Sequence, residues 1–224
     1  MVQVQAEKKE ESEVTYTVDK RDMTFAFPTT IFKGTVTDLT LCDNLEKSIR
    51  KLHRTKNGNH IGKTHFISYD NLHENEEFKD LCEVVLNESN QILNTLCVVR
   101  DDHYISAMWA NITSENHRHM LHIHPNSLLS GIIYVKTPPG CGNITFSDPR
   151  PAARMLEPDY FEMNQINAGV MQIAPQKGNM IFWPSWLPHG VEKGQNQGTD
   201  RIAVAFNVMI RGRATVPTNR MQWL

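Results

Sequence analysis

The sequence predicts a mostly β protein in which helices come first and an antiparallel β-sandwich or barrel follows. Two patterns lead to this fold class. Apolar residues recur at helical spacing up to residue 96, and short β-branched and aromatic segments come after it. The chain has 224 residues, of which 40% are hydrophobic and 21% are charged. This length and composition fit a single globular domain with a core of ordinary size.

Two helices are predicted before residue 97. In the first, an apolar stripe recurs at spacings of four, four and three residues, formed by Leu41, Leu45, Ile49 and Leu52. The second covers Glu76 to Leu96, where the large apolar residues fall mainly on one face. Ahead of both helices, residues 24–36 are β-branched and aromatic and predict a strand interrupted at Pro28. A polar loop is expected over 55–63.

After residue 96, segments rich in Val, Ile, Phe, Trp and Tyr alternate with Pro, Gly and Asn, which is typical of short strands joined by turns. The predicted strands are 98–100, 105–113, 128–135, 143–146, 170–174, 179–183 and 202–210. Residues 149–169 lack regular apolar positions and form either a lid over a site or a plain surface connection. We expect one domain over 21–224, with helical support over about 38–96 and a β core over about 97–212.

The composition and charge of the chain exclude several classes of protein. Residues 1–20 carry mixed charge and few large apolar groups, so we expect a flexible N-terminal arm. The formal net charge of −2 provides no dominant attraction to nucleic acid or to a membrane, and neither partner is expected. No apolar run approaches the roughly 20 residues of a membrane span, and no signal-peptide core is visible, so a cytoplasmic protein is expected. The widely separated cysteines predict free buried thiols.

The ten histidines differ in their surroundings. Four of them lie in polar segments and are expected to face solvent: His53, His60, His65 and His73. His122 and His124 flank Ile123, and on an extended chain both imidazoles leave the same face while Ile123 packs on the other. Such a pair is half of a metal site, or a structural pair that bonds to a neighbouring strand. His117 and His119 are expected in a solvated loop, with His119 also a candidate to face substrate.

Two further residues strengthen the metal hypothesis. His189 stands at a proline-flanked corner that follows a buried apolar strand, and Arg201 opens the next apolar strand twelve residues later. An unpaired buried guanidinium is costly, so Arg201 needs a partner. The alternative is that Arg201 caps the rim of the barrel through an Asp or a backbone carbonyl.

This order of residues resembles the iron(II)- and 2-oxoglutarate-dependent oxygenase superfamily, whose pattern is H-x-D/E, then a distal His, then an Arg. Segments 122–135, 148–151, 178–191 and 201–207 are similar, more specifically, to prolyl-hydroxylase-like oxygenases of bacteria and their phages. The similarity runs from about Ser106 to Val208. It implies a double-stranded β-helix core, the jelly-roll or cupin-like fold, in an oxygenase domain.

The same resemblance implies a metal site formed by His122, His124 and His189. His124 stands where the superfamily has Asp or Glu, so a third neutral imidazole would leave the iron one charge unit more positive. Three histidines also suit zinc. Alternatively, His124 does not bind the metal and leaves a position for water or for an anion such as halide.

For 2-oxoglutarate, the resemblance implies that the keto acid binds the metal and that the distal carboxylate pairs with Arg201, whose planar fork matches a carboxylate. Tyr134 would contact the same carboxylate, or is an ordinary core residue. Asn111 and Asn207 are polar residues on apolar strands, and they line the pocket or bond to the backbone. No catalytic acid–base residue is predicted beyond the metal centre.

The function implied is an iron(II)- and 2-oxoglutarate-dependent dioxygenase. It would hydroxylate a small-molecule or peptidyl substrate, such as a prolyl or another amino-acid residue, and release succinate and carbon dioxide. Two alternatives stay open: a cupin-type metalloenzyme that does not use 2-oxoglutarate, and a non-enzymatic β-sandwich binding module. In the first alternative Arg201 would be incidental, and in the second His122 and His124 would serve only as structural groups.

Overall fold

The computed structural model describes residues 22–62, 64–196 and 198–212. Over these ranges the predicted class, mostly β with N-terminal helices, is confirmed. The predicted arm, residues 1–20, lies outside the described residues. The predicted domain bounds stay predictions.

The described part of the chain contains two α-helices and eleven strands, together with three short 3-10 turns. The helices are α1 (Thr40–Arg54) and α2 (Lys79–Thr95). The strands are β1 (Phe32–Thr35), β2 (Gly58–Ile61), β3 (His65–Ser68), β4 (Asp102–Thr113), β5 (His119–His122), β6 (Leu129–Lys136), β7 (Ile144–Ser147), β8 (Val170–Ile173), β9 (Asn179–Pro184), β10 (His189–Val191) and β11 (Arg201–Arg211).

The strands form two antiparallel sheets. Seven strands form the large sheet in the order β1-β9-β6-β11-β4-β3-β2, and four form the small sheet in the order β5-β10-β7-β8. One cluster of buried side chains joins the sheets, since it combines Ile132, Tyr134 and Trp183 of the large sheet with Ile144 and Phe146 of the small one. The long strand β11 lies in the middle of the large sheet, between β6 and β4.

The helices cover the other face of the large sheet. The predicted stripe of α1 is largely buried, through Leu45, Ile49 and Leu52. It joins α2 and the outward side chains of the large sheet in one core, which includes Val204 and Phe206 of β11. Side chains alternate along a strand, so the odd-numbered positions of β11 point away from Val204 and Phe206 and face the small sheet. Residues 201, 203, 205 and 207 therefore share the inward face of β11.

Some boundaries differ from the prediction. Residues 98–100 are not a strand, and the strand predicted over 24–36 is confined to β1. The polar loop predicted over 55–63 contains β2, which pairs with β3 at the sheet edge. Edge strands carry polar and short side chains, so their sequence lacks the apolar signal of a central strand. Strand β10 has only three residues, too few for alternation to be visible.

Neither helix in the described ranges has the length and apolarity required to cross a bilayer. All four cysteines are free, as predicted, and Cys42 is buried. Cys97 is exposed, so the expectation of a buried thiol is wrong there. It follows the last turn of α2 with a positive φ of 53°, where the chain turns away from the helix.

Candidate metal centre

His122, His124 and His189 come together between the two sheets. Each imidazole offers one nitrogen, and these nitrogens lie within 4.8 Å of one another. His122 ends β5 and His189 begins β10, and the two residues are direct partners in the small sheet. His124 lies two residues beyond β5, where its backbone N–H donates to the Ser185 carbonyl at 3.0 Å. Ile123 is half exposed and does not pack as expected.

The spacing of these nitrogens suits cis ligands on one ion. The Nε2 atoms of His122 and His124 lie 3.1 Å apart. Two nitrogen ligands, each about 2.1 Å from an ion and at right angles to each other, stand about 3 Å apart. His189 is close to both, with ring centroids 4.4 Å from His122 and 4.9 Å from His124. No Asp or Glu of the described ranges belongs to this group.

Hydrogen bonds to Nδ1 orient all three rings. His122 Nδ1 donates to the Met120 carbonyl at 2.8 Å, and His189 Nδ1 lies 2.9 Å from the Leu187 carbonyl. His124 Nδ1 donates to Asn207 Oδ1 at 2.7 Å. A ring that carries its proton on Nδ1 has its lone pair on Nε2. The Trp183 indole N–H also lies 3.1 Å from His189 Nδ1, so that nitrogen satisfies only one of the two partners at a time.

The bond to His124 is part of a larger network. Asn207 Oδ1 also accepts from the Ser130 hydroxyl at 2.9 Å, and Ser130 Oγ lies 2.9 Å from Ser185 Oγ. Ser130 and Ser185 are buried, so their hydroxyls depend on these bonds. The pairing of β11 with β4 shifts register between Asn207 and Val208. The extra residue of this bulge is Ser106 of β4, because Asn207 pairs with Ala107 and Val208 pairs with Ile105.

Burial keeps two of these rings neutral. The pKa of His189 is lowered to about 3, mainly by burial and in part by the nearby His122 and His124, against the opposing effect of the bond to Leu187. Burial also lowers the pKa of His124. His122 is exposed, so the group reaches solvent on this side. Neutral imidazoles with free Nε2 lone pairs are metal ligands that need no deprotonation at neutral pH.

A close approach of β5 to β10 is necessary for this arrangement. A Cβ on Gly190 would lie 2.7 Å from the His119 carbonyl oxygen, a distance that real Cβ atoms essentially never show. Only glycine fits between His189 and Val191 while His122 pairs with His189.

A second feature of the site is a buried guanidinium with two nitrogen atoms that lack a hydrogen-bond partner. Arg201 is only 3% exposed, and its Nε and Nη2 make no hydrogen bond with any described residue. The Tyr134 hydroxyl is also buried and unpartnered, and Arg201 Cζ lies 5.1 Å from the centroid of its ring. Burial raises the pKa of Tyr134, against the opposing effect of Arg201, so the hydroxyl stays a neutral donor. Unpaired buried donors are costly, and an anion would satisfy them.

Small side chains on β11 separate Arg201 from Asn207 and the histidine that it bonds. Ala203 and Ala205 stand between Arg201 and Asn207 on the inward face of β11, and Ala203 is fully buried. Across from Ala205, Trp109 of β4 stacks on His124 with ring centroids 5.5 Å apart.

Asn111, predicted to line the pocket, bonds to a side chain. It pairs with Ala203 across β4 and β11, and its Oδ1 lies 3.0 Å from His65 Nε2. The expectation that His65 faces solvent is wrong, since it is 6% exposed. The reason is β3, which was not predicted and which places His65 beside Thr113 of β4.

The sequence analysis missed a second group of histidines. His65, His117 and His119 form a second three-histidine group, with nitrogens within 4.8 Å of one another. Neither His117 nor His119 is fully solvated, since both are partly buried. The β-branched and aromatic residues over 64–69, namely Thr64, Phe66, Ile67 and Tyr69, were the signal that could have located β3.

The segment predicted as a lid or a connection, residues 149–169, exposes several large apolar side chains. At its start, Arg150 pairs with Asp148 at 2.9 Å. The side chains of Met155, Leu156 and Phe161 are almost fully exposed. A cluster of exposed apolar groups on a loop is a common feature of binding surfaces.

Comparisons with known proteins agree with this architecture. Residues 107–207 match a family model described as "Putative 2OG-Fe(II) oxygenase". None of the curated proteins matches the chain in sequence. Among solved structures, a prolyl-4-hydroxylase from Pseudomonas putida is 12% identical, with a TM-score of 0.59 over 80% of this chain and 92% of that chain.

Two further solved structures are similar. HygX from Streptomyces hygroscopicus, with nickel and 2-oxoglutarate bound, is 11% identical, with a TM-score of 0.56 over 80% of this chain and 82% of its own. A viral collagen prolyl hydroxylase from Paramecium Bursaria Chlorella virus-1 is 14% identical, with a TM-score of 0.51 over 82% and 96%. At these identities the likeness shows the fold, and it confirms the double-stranded β-helix.

Replacing Asn207 tests the network around His124. In Asn207→Ala the Nδ1 proton of His124 loses its acceptor, so we expect affinity for Fe(II) or Co(II) to fall about 10- to 100-fold, as for other supporting partners of metal ligands. Asn207→Asp keeps the acceptor oxygen and should retain most of the affinity. Anaerobic metal titration measures both. Equal affinities for the wild type and Asn207→Ala would contradict the assignment.

Proposed function

We propose that this chain, a member of the iron(II)- and 2-oxoglutarate-dependent oxygenase superfamily, hydroxylates a C–H bond of a small-molecule or peptidyl substrate. Its cofactors are iron(II) and 2-oxoglutarate. When bound, they supply the oxidation, in which 2-oxoglutarate is decarboxylated to succinate and carbon dioxide while the substrate is hydroxylated. The residues described below would bind, orient and shield these groups.

One observation carries the proposal. Arg201 is a buried cation whose Nε and Nη2 have no partner, and it stands beside the unpartnered Tyr134 hydroxyl. Both groups donate, and both lie on the inward face of the large sheet that also carries Asn207. A carboxylate satisfies such a pair, since the guanidinium fork binds it in bidentate fashion and the hydroxyl adds a third bond. We assign this end of the pocket to the distal carboxylate of 2-oxoglutarate.

At the other end, His122, His124 and His189 would hold the iron through Nε2. The 3.1 Å separation of His122 Nε2 and His124 Nε2 supports His124 as a metal ligand. Three neutral ligands leave the full charge of +2 on the ion. A dianionic cosubstrate neutralises that charge, so the absence of a carboxylate ligand favours tight binding of 2-oxoglutarate.

The alternatives have less support. A cupin-type enzyme that ignores 2-oxoglutarate leaves the buried guanidinium of Arg201 without an anion. A non-enzymatic module provides no reason for three imidazoles whose nitrogens lie within 4.8 Å of one another and whose Nδ1 atoms each lie near an acceptor oxygen.

For the substrate, we favour a prolyl or other amino-acid residue within a peptide. Two of the structurally similar proteins are prolyl hydroxylases. The exposed apolar side chains of residues 149–169 would cover an apolar peptide, and burial of one large side chain contributes about 1.5–3 kcal/mol.

Substitution of Arg201 separates the oxygenase from its alternatives. In Arg201→Gln the carboxylate loses a charged partner that contributes about 3 kcal/mol or more, so Kd for 2-oxoglutarate should rise about 100-fold. Tyr134→Phe removes one hydrogen bond to a charged group, which corresponds to about tenfold. Calorimetry with Co(II)-loaded protein and assays of succinate formation measure these effects.

Arg100→Gln is the matched control, because Arg100 bonds Asn90 and Asn94 of α2 outside the pocket. It should leave binding and turnover unchanged. Unaltered affinity for 2-oxoglutarate in Arg201→Gln would rule out the assigned carboxylate site and favour a cupin-type enzyme.

The loop predicts where substrate binds. Proline-containing peptides should gain one oxygen by mass spectrometry, and Phe161→Ser should raise KM for such a peptide about tenfold, as expected for the loss of one buried aromatic side chain. The rate of succinate formation without peptide should not change, since no residue of the loop is assigned to the metal or to 2-oxoglutarate. Val99→Ser is a control, because Val99 is similarly exposed at another position. An unchanged peptide KM in Phe161→Ser would refute the covering role of the loop.

A further inference from the structure

We propose that His65, His117 and His119 form a second metal site, which binds a divalent cation of the zinc class beside the first centre. Three separate parts of the chain form it. His65 begins β3 of the large sheet, His119 begins β5 of the small sheet, and His117 lies in the connection between β4 and β5. An ion held by all three would link the two sheets at this end of the pocket.

The geometry is that of a compact imidazole group. The candidate ligand nitrogens lie within 4.8 Å of one another. Ring centroids are 4.1 Å apart for His65 and His117, 5.0 Å for His65 and His119, and 4.7 Å for His117 and His119. Three histidines leave one position open in a tetrahedral zinc site, which a water or an anionic oxygen would fill.

Two nitrogen atoms of the group lack partners. His65 Nδ1 and His117 Nε2 are buried, and neither makes a hydrogen bond with any described residue. His65 Nε2 lies 3.0 Å from Asn111 Oδ1, which only accepts, so Nε2 carries the ring proton. The lone pair of His65 is therefore on the unpartnered Nδ1, within a side chain that is 94% buried. A metal ion would satisfy both atoms, whereas packing of the rings against one another leaves them unsatisfied.

The rings are neutral and available as ligands. Burial, with smaller contributions from the neighbouring imidazoles and Arg201, lowers the pKa of His117 to about 4 and that of His119 to about 3. Burial also lowers the pKa of His65, against the bond to Asn111. Metal binding at neutral pH therefore requires no proton release from the group.

The charge of Arg201 opposes a cation here, and it influences both His117 and His119. An anionic oxygen in the open position would offset this effect, because it reduces the net charge of the ion. Metal-bound hydroxide or a carboxylate has this charge.

The test begins from a chain without the first centre. In His122→Ala/His124→Ala, His189 alone cannot hold an ion tightly, so the second group is the remaining three-ligand site among the described residues. We expect this variant to bind one Zn²⁺ per chain in equilibrium dialysis with elemental analysis, and X-ray absorption to show nitrogen neighbours at about 2.0–2.1 Å. Adding His117→Ala should raise Kd for Zn²⁺ at least 100-fold.

Two controls keep the result decisive. His60→Ala removes one of a pair of neighbouring imidazoles, His53 and His60, with ring centroids 4.8 Å apart, and should not alter Zn²⁺ uptake. His119→Gln replaces His117→Ala if circular dichroism shows that the latter is unfolded. The proposal is overturned if the folded double variant takes up no Zn²⁺, or if uptake persists without His117 or His119. Neither result depends on 2-oxoglutarate turnover, so it leaves the proposed function untouched.

Discussion

The inward face of β11 is the constraint on which the rest of the site depends. Four alternating positions of one central strand hold Arg201 at one end, Asn207 at the other, and two alanines between them. The strand is paired on both sides, by β6 and β4, so these positions cannot move relative to each other. A cosubstrate held between a guanidinium and a metal requires this fixed separation, and preorganisation of this kind lowers the cost of binding.

The histidines depend on the same strand indirectly. His124 takes its ring orientation from Asn207, whereas His122 and His189 take theirs from backbone carbonyls in the small sheet. The proposed centre therefore spans both sheets, and the positions of its ligands depend on how the two sheets pack. A substitution that separates β5 from β10, or that removes the bulge opposite Asn207, would alter the ligand positions although it replaces no ligand.

The sequence could predict the helices, the long strands and the first histidine trio, because each has a local signature. Apolar spacing located α1 and α2, and the H-x-H pair with His189 and Arg201 carried a recognisable order. Residues that come together only through sheet pairing were missed. His65 is far in sequence from His117 and His119, and no local pattern indicates that β3 would bring them together. The partners of Nδ1 also depend on tertiary contacts, as the bonds of Asn207 illustrate.

The most direct test is anaerobic titration of the protein with Fe(II) and then 2-oxoglutarate. If the metal and Arg201 hold the two ends of the keto acid, a weak charge-transfer absorption band in the green should appear and saturate at one equivalent of 2-oxoglutarate per chain. Succinate, which lacks the keto group, should produce no band. A folded, iron-loaded protein that develops no band with 2-oxoglutarate would contradict the account.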